Sequence, residues 1–183
     1  AIANGMFANV GPVRCAGARL LAQESIVDEL LDRVKHRVSQ LQVGDPMDKN
    51  TDIGPVNSAQ ELARIRALFE LDGQDTHLPQ ESLRLWSPPV ELPRRGYWFP
   101  PTICTGVTQA HRVAREEVSG PLLAVLTFRT PAEAVQKANN TPYGLSAGVW
   151  TEKGSRMLAI TSQLRAGVVW ANTFNKFDPA APF

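Results

Sequence analysis

The sequence predicts an α/β fold built on a mainly parallel, doubly wound sheet. Short apolar runs of strand length alternate with amphipathic stretches from Arg19 to Asn172, the order that parallel strands joined by crossover helices produce. Leu122–Phe128 is almost uninterruptedly apolar, as a strand covered on both faces must be. Ile26, Val27, Leu30, Leu31, Val34, Val38 and Leu41 recur at helical spacing and give one stripe to lay against such a sheet.

Taken in order, residues 1–8 read as the end of a helix already under way, and residues 19–23 as a short buried strand. Ser25 with Asp28 three residues on predicts a capped start for the striped helix. His36 falls on its charged side, where a solvated ring is expected, since no His or Cys stands at metal spacing from it. Gly44-Asp45-Pro46 breaks the periodicity, and loop continues through Gly54-Pro55. Ser58-Ala59-Gln60-Glu61 is a capping box for a helix carrying Leu62, Ile65, Leu68 and Phe69. Residues 72–95 contain Pro79, Pro88, Pro89 and Pro93 with little periodicity, which predicts an irregular surface loop; Trp86 is its candidate partner contact. Residues 122–128 read as a strand. Thr130-Pro131-Ala132-Glu133 combines a capping box with proline at the first helical position. A helix is expected at 152–164 with Met157, Leu158 and Leu164 inward, then a last strand at 165–172.

Composition narrows the function classes. With 43% hydrophobic and 20% charged residues, 183 residues suffice for one domain with a substantial core, here the whole of 1–183. Nineteen basic against 18 acidic residues leave a net charge of +1, and Arg94-Arg95 is the densest basic run, so neither nucleic acid nor a membrane surface is an expected partner. No apolar run reaches the roughly 18 residues of a membrane span. Two cysteines, Cys15 and Cys104, give neither a disulfide framework nor a metal site, which points to the reducing cytoplasm.

Several motifs together carry a resemblance. Asn9-Val10-Gly11-Pro12-Val13-Arg14-Cys15-Ala16-Gly17-Ala18-Arg19 resembles the nucleophile loop of the aldehyde dehydrogenase superfamily, Asn-x-Gly-Gln-x-Cys-x-Ala-Gly-x-Arg. Val43-Gly44-Asp45-Pro46 with Thr51-Asp52-Ile53-Gly54-Pro55, Gly96-Tyr97-Trp98 running into Pro101-Thr102, and Ala114-Arg115-Glu116-Glu117-Val118-Ser119-Gly120-Pro121 resemble further elements of the same superfamily. So do Asn139 with Tyr143-Gly144-Leu145, and Ala166-Gly167-Val168 through Asn172; the resemblance implies a strand at 96–103 and a turn followed by a strand at 139–151. The likeness covers nearly the whole chain and is interrupted mainly at residues 72–95.

The resemblance implies a catalytic-domain three-layer sandwich, cut from a longer protein whose nucleotide-binding domain precedes it. In the superfamily a cysteine thiolate attacks an aldehyde carbonyl, the adduct passes hydride to NAD(P), and water releases the acid. Here that cysteine's position holds Arg14, whose guanidinium stays protonated and offers five donors but no nucleophilic electron pair. Pro12 replaces the glutamine and deletes a backbone N–H. Cys15, one residue along, is the candidate substitute nucleophile; its ordinary role would be that of a small buried apolar residue. By match, Glu117 takes the nicotinamide ribose hydroxyls, although a carboxylate bonded to nearby loop amides is an equal alternative; Ser119 stands where the family has a phenylalanine beside the nicotinamide.

The missing cysteine is closest in character to the superfamily's family-sixteen members, which have two dehydrogenase-like units. The expectation is a non-catalytic homologue, a scaffold or a binder of protein partners, homodimeric in full-length form. The alternatives are an active NAD(P)-dependent aldehyde oxidoreductase working through Cys15 or through a second intact unit, and an unrelated α/β interaction domain.

Overall fold

The computed structural model describes residues 1–11, 13–74 and 83–183. Its elements run α1 (Ile2–Phe7), β1 (Arg19–Gln23), α2 (Val27–Val38), α3 (Ala59–Gln74), β2 (Arg84–Trp86), β3 (Thr102–Thr105) and α4 (Arg112–Arg115). They continue through β4 (Leu122–Phe128), α5 (Pro131–Asn139), β5 (Ser146–Val149), α6 (Gly154–Thr161) and β6 (Val168–Ala171).

The apolar run at β4 lies inside a four-stranded sheet of order β1-β4-β3-β2, parallel to both its neighbours. Alternate residues of a strand point to opposite faces, and β4 shows this directly. Leu122, Ala124 and Leu126 join one core with Ile65 and Leu68 of α3 and Val113 and Ala114 of α4. Leu123 and Val125 join the other with Met6 and Phe7 of α1 and Leu31, Val34 and Val38 of α2. The chain is therefore an α/β structure of three layers, helix, sheet and helix. Ile103 and Leu123 are wholly buried at its centre, each contributing about 2 kcal/mol relative to exposure.

Several expectations shift in detail. The strand foreseen at 96–103 begins only at Thr102, because Pro100 and Pro101 have no N–H to give a ladder. Thr102 opens it instead, with its N–H on the carbonyl of Pro121 at 2.8 Å. The loop foreseen at 72–95 contains β2, an antiparallel edge strand on β3, and α3 reaches Gln74; the remainder around Pro79 lies outside the described residues. Ser25 does not cap α2: Ile26 occupies that position without a side-chain bond, while Asp28 and Glu29 in the first turn still complement the helix dipole. Ser58 does cap α3, its hydroxyl accepting from Glu61 N–H at 3.1 Å, and Thr130 accepts from Glu133 N–H at 3.2 Å at the start of α5.

The last strands form a separate two-stranded parallel sheet, β5-β6, since alternation of strands and helices does not specify how many sheets they share. In α6 only Met157 is buried, and Leu158 is 73% exposed. Neighbours in a helix point about 100° apart, so the stripe from Met157 runs through Ile160, Thr161 and Leu164 and leaves Leu158 outside.

Candidate functional site

The segment between α1 and β1 is built on three successive left-handed residues, Asn9 (φ 52°), Val10 (φ 62°) and Gly11 (φ 87°). Asparagine tolerates this region and glycine enters it freely; the β-branched Val10 is strained there. Close packing explains the glycine. A Cβ on Gly11 would sit 2.3 Å from the carbonyl oxygen of Gly120. The nucleophile-type loop and the Glu-Glu segment thus touch backbone to backbone. Gly120 is pinned from behind in turn, since a Cβ there would meet Ile65 Cδ1 at 2.4 Å.

Beyond Gly11 the chain turns again. The N–H of Ala16 donates to the carbonyl of Val13 at 2.8 Å, which puts Arg14 and Cys15 at the two central positions of a tight turn. Their side chains part: Arg14 is exposed, and Cys15 is buried at 6% exposure. Arg14 forms no ion pair among the described residues. The N–H of Gly17 then donates to the carbonyl of Gly5 at 3.0 Å, fixing the turn to α1. The effect expected of Pro12 falls on a residue outside the described ones.

In the facing segment two adjacent carboxylates have different tasks. Glu116 receives both Arg112 Nε, at 2.6 Å, and Nη2, at 3.0 Å. These bonds hold its carboxyl below the usual carboxylate range. Glu117 is exposed, and its carboxylate accepts no hydrogen bond and forms no ion pair among the described residues, so the foreseen bonds to loop amides are not made there. Its backbone N–H instead donates to Tyr143 Oη at 3.2 Å. Ser119 is half-buried.

Sequence reasoning missed this anchoring by Tyr143, which only appeared as part of a turn motif. It also missed Phe174, which approaches Gly5 and Gly17 and meets Trp170 edge-on at 4.9 Å. Both rest on side chains of loop residues, Tyr143 and Phe174, which carry no periodic signal. Trp86, foreseen as a partner contact, is half-buried against the α1–α2 core, with Lys35 Nζ 5.9 Å from its ring. Cys104 is buried in the sheet, and no group of three metal-binding side chains occurs among the described residues. No described helix is long and apolar enough to cross a membrane.

A family model described as the aldehyde dehydrogenase family matches residues 1–183. A dehydrogenase of Acinetobacter baylyi, named for (Z)-2-((N-methylformamido)methylene)-5-hydroxybutyrolactone, is 39% identical over 180 residues, covering 97% of this chain and 36% of that protein. The crystal structure of the aldehyde dehydrogenase KauB from Pseudomonas aeruginosa superposes with a TM-score of 0.90 at 36% identity, over 100% of this chain and 36% of that one. An NAD-dependent aldehyde dehydrogenase from Sinorhizobium meliloti gives 0.89 at 34% identity, over 99% and 35%. The chain therefore spans about a third of the length of these relatives, at 36% and 35%.

Proposed function

The chain belongs to the aldehyde dehydrogenase family, and from that premise we propose that residues 1–183 are one catalytic-type domain of a non-catalytic homologue, in which Arg14 occupies the nucleophile's place. The observation that carries this reading is the turn at 13–16. Its frame is intact, its outward side chain is a guanidinium, and the neighbouring thiol of Cys15 is buried. A protonated guanidinium has no electron pair for a carbonyl carbon, and loss of a nucleophile in another enzyme class costs on the order of a million-fold in rate.

Cofactor binding is a separate matter from chemistry. NAD(P), when bound, supplies the hydride acceptor of the family's reaction. The free, exposed carboxylate of Glu117 fits the task of accepting two ribose hydroxyls. Ser119 does not provide the flat apolar contact of the family's phenylalanine, so the grip is weaker on that side. The same reading makes the longer protein a cytoplasmic homodimer that acts by binding protein partners, related in kind to the two-unit, cysteine-less members.

The test uses the full-length protein with an aldehyde and NAD, following absorbance of the reduced nicotinamide. No aldehyde-dependent reduction is expected, and Arg14→Cys is expected to create it. Turnover in the natural protein that disappears with Cys15→Ser would overturn the proposal in favour of a working oxidoreductase. Turnover unaffected by that substitution would assign the chemistry to a second unit.

A further inference from the structure

A polar cleft of about 600 Å³ opens beside the end of α5, where Gln136, Asn139 and Asn140 face Arg115 at the end of α4, Gln109 ahead of it, and Arg165 on the approach to β6. Neither Arg14 nor Glu117 lines it, so it is independent of the site described above. Its size is that of a small-molecule site, and its chemistry is unusual for a surface groove. Two guanidinium groups line it, and no carboxylate or aromatic ring does.

The donors are largely uncommitted. Arg115 is exposed and forms no ion pair among the described residues; its neighbour Glu116 is already held by both Arg112 bonds. Arg165 donates once, through Nη2 to the carbonyl of Asn139 at 2.9 Å, which leaves four of its roughly five N–H groups for a ligand. That bond also removes a helix-end carbonyl that would repel an anion. Asn139 is a brace: its Oδ1 accepts from Arg165 N–H at 2.8 Å and its Nδ2 donates to the carbonyl of Gln163 at 2.8 Å. The carboxamides of Gln136 and Asn140 make no hydrogen bond among the described residues. Gln109 Nε2 is buried without an acceptor there, so turning that amide toward the cleft breaks no bond.

We propose that this cleft binds a sugar phosphate, with Arg115 and Arg165 on the phosphate and the carboxamides of Gln109, Gln136 and Asn140 on the hydroxyls. A guanidinium pair matches the oxygens of a phosphate dianion. Carboxamides both donate and accept, as hydroxyl groups require. The absence of an aromatic ring in the lining leaves a nucleobase nothing to stack on.

Calorimetric titration of the full-length protein with glucose 6-phosphate, inorganic phosphate and glucose tests this. Saturable binding of glucose 6-phosphate is expected, about tenfold or more tighter than either control, because only it addresses both halves of the cleft. Arg115→Gln should weaken it about tenfold with little change in melting temperature, since the exposed Arg115 side chain makes no hydrogen bond or ion pair among the described residues. Arg165→Gln should weaken it as well, with some loss of stability from the broken Asn139 contact. Phosphate binding as tightly as the sugar phosphate, an unaltered affinity in Arg115→Gln, or no saturable binding would each overturn the assignment.

Discussion

The loop that carries Arg14 and the segment that carries Glu117 press together at Gly11 and Gly120, yet each presents a different kind of side chain to solvent. In the first, left-handed residues and a closed turn present a guanidinium. In the second, an exposed carboxylate has no hydrogen bond or ion pair among the described residues, and Ser119 two residues on is half-buried. The two regions teach the same separation from opposite sides. Backbone shape depends on glycines and left-handed residues that hold the loops in contact, while chemistry depends on outward side chains that the fold scarcely uses.

Breaking the contact itself has the largest expected effect. Gly11→Ala places a methyl group 2.3 Å from a backbone oxygen at a φ of +87°, and neither the neighbour nor the conformation can give. Urea unfolding should show a loss of about 3 kcal/mol. A loss under about 1 kcal/mol would mean the two loops are not in contact. Asn9→Ala comes next. Its side chain is exposed and its φ is 52°, so only backbone preference is removed, and about 1 kcal/mol should be lost while Asn9→Gly stays near neutral.

These glycines also explain what was legible from sequence. Motifs such as Asn9-x-Gly11 and Gly120-Pro121 report local backbone demands, and the 3.6- and 2-residue periodicities of α2 and β4 report burial. Those signals yielded the three layers and the loop that holds Arg14. Contacts between a loop and a part of the chain distant in sequence leave no such mark. Nothing in the sequence states that Tyr143 Oη meets the N–H of Glu117, that Ile65 backs Gly120, or that Phe174 lies across Gly5 and Gly17. The same limit applies to the paired glutamates, whose spacing shows only that they are neighbours.

Glu116 and Glu117 sharpen the comparison within one segment. Arg112 lowers the carboxyl pKa of Glu116, so the pair stabilises the fold above the ordinary carboxylate range, and that contribution is lost as pH falls through the depressed value. Glu116→Gln should therefore cost about 0.5 kcal/mol near neutrality, because both side chains remain partly exposed to screening solvent, and nothing in strong acid. Glu117→Gln, at an exposed side chain with no partner among the described residues, should leave the urea midpoint near neutrality where it is and alter only nucleotide affinity in the full-length protein.

A similarly small change in stability is expected of Arg14→Cys. The guanidinium is exposed and unpaired among the described residues, and the turn around it is closed by backbone groups of Val13 and Ala16, so the unfolding free energy should move by less than about 0.5 kcal/mol. That near-neutrality is what makes the substitution informative. A cysteine introduced without disturbing the loop tests whether a thiol alone restores chemistry to the site, with the fold held constant. If urea unfolding instead shows a large loss, Arg14 has a structural role in the loop, and shape and reactivity are coupled at this turn after all.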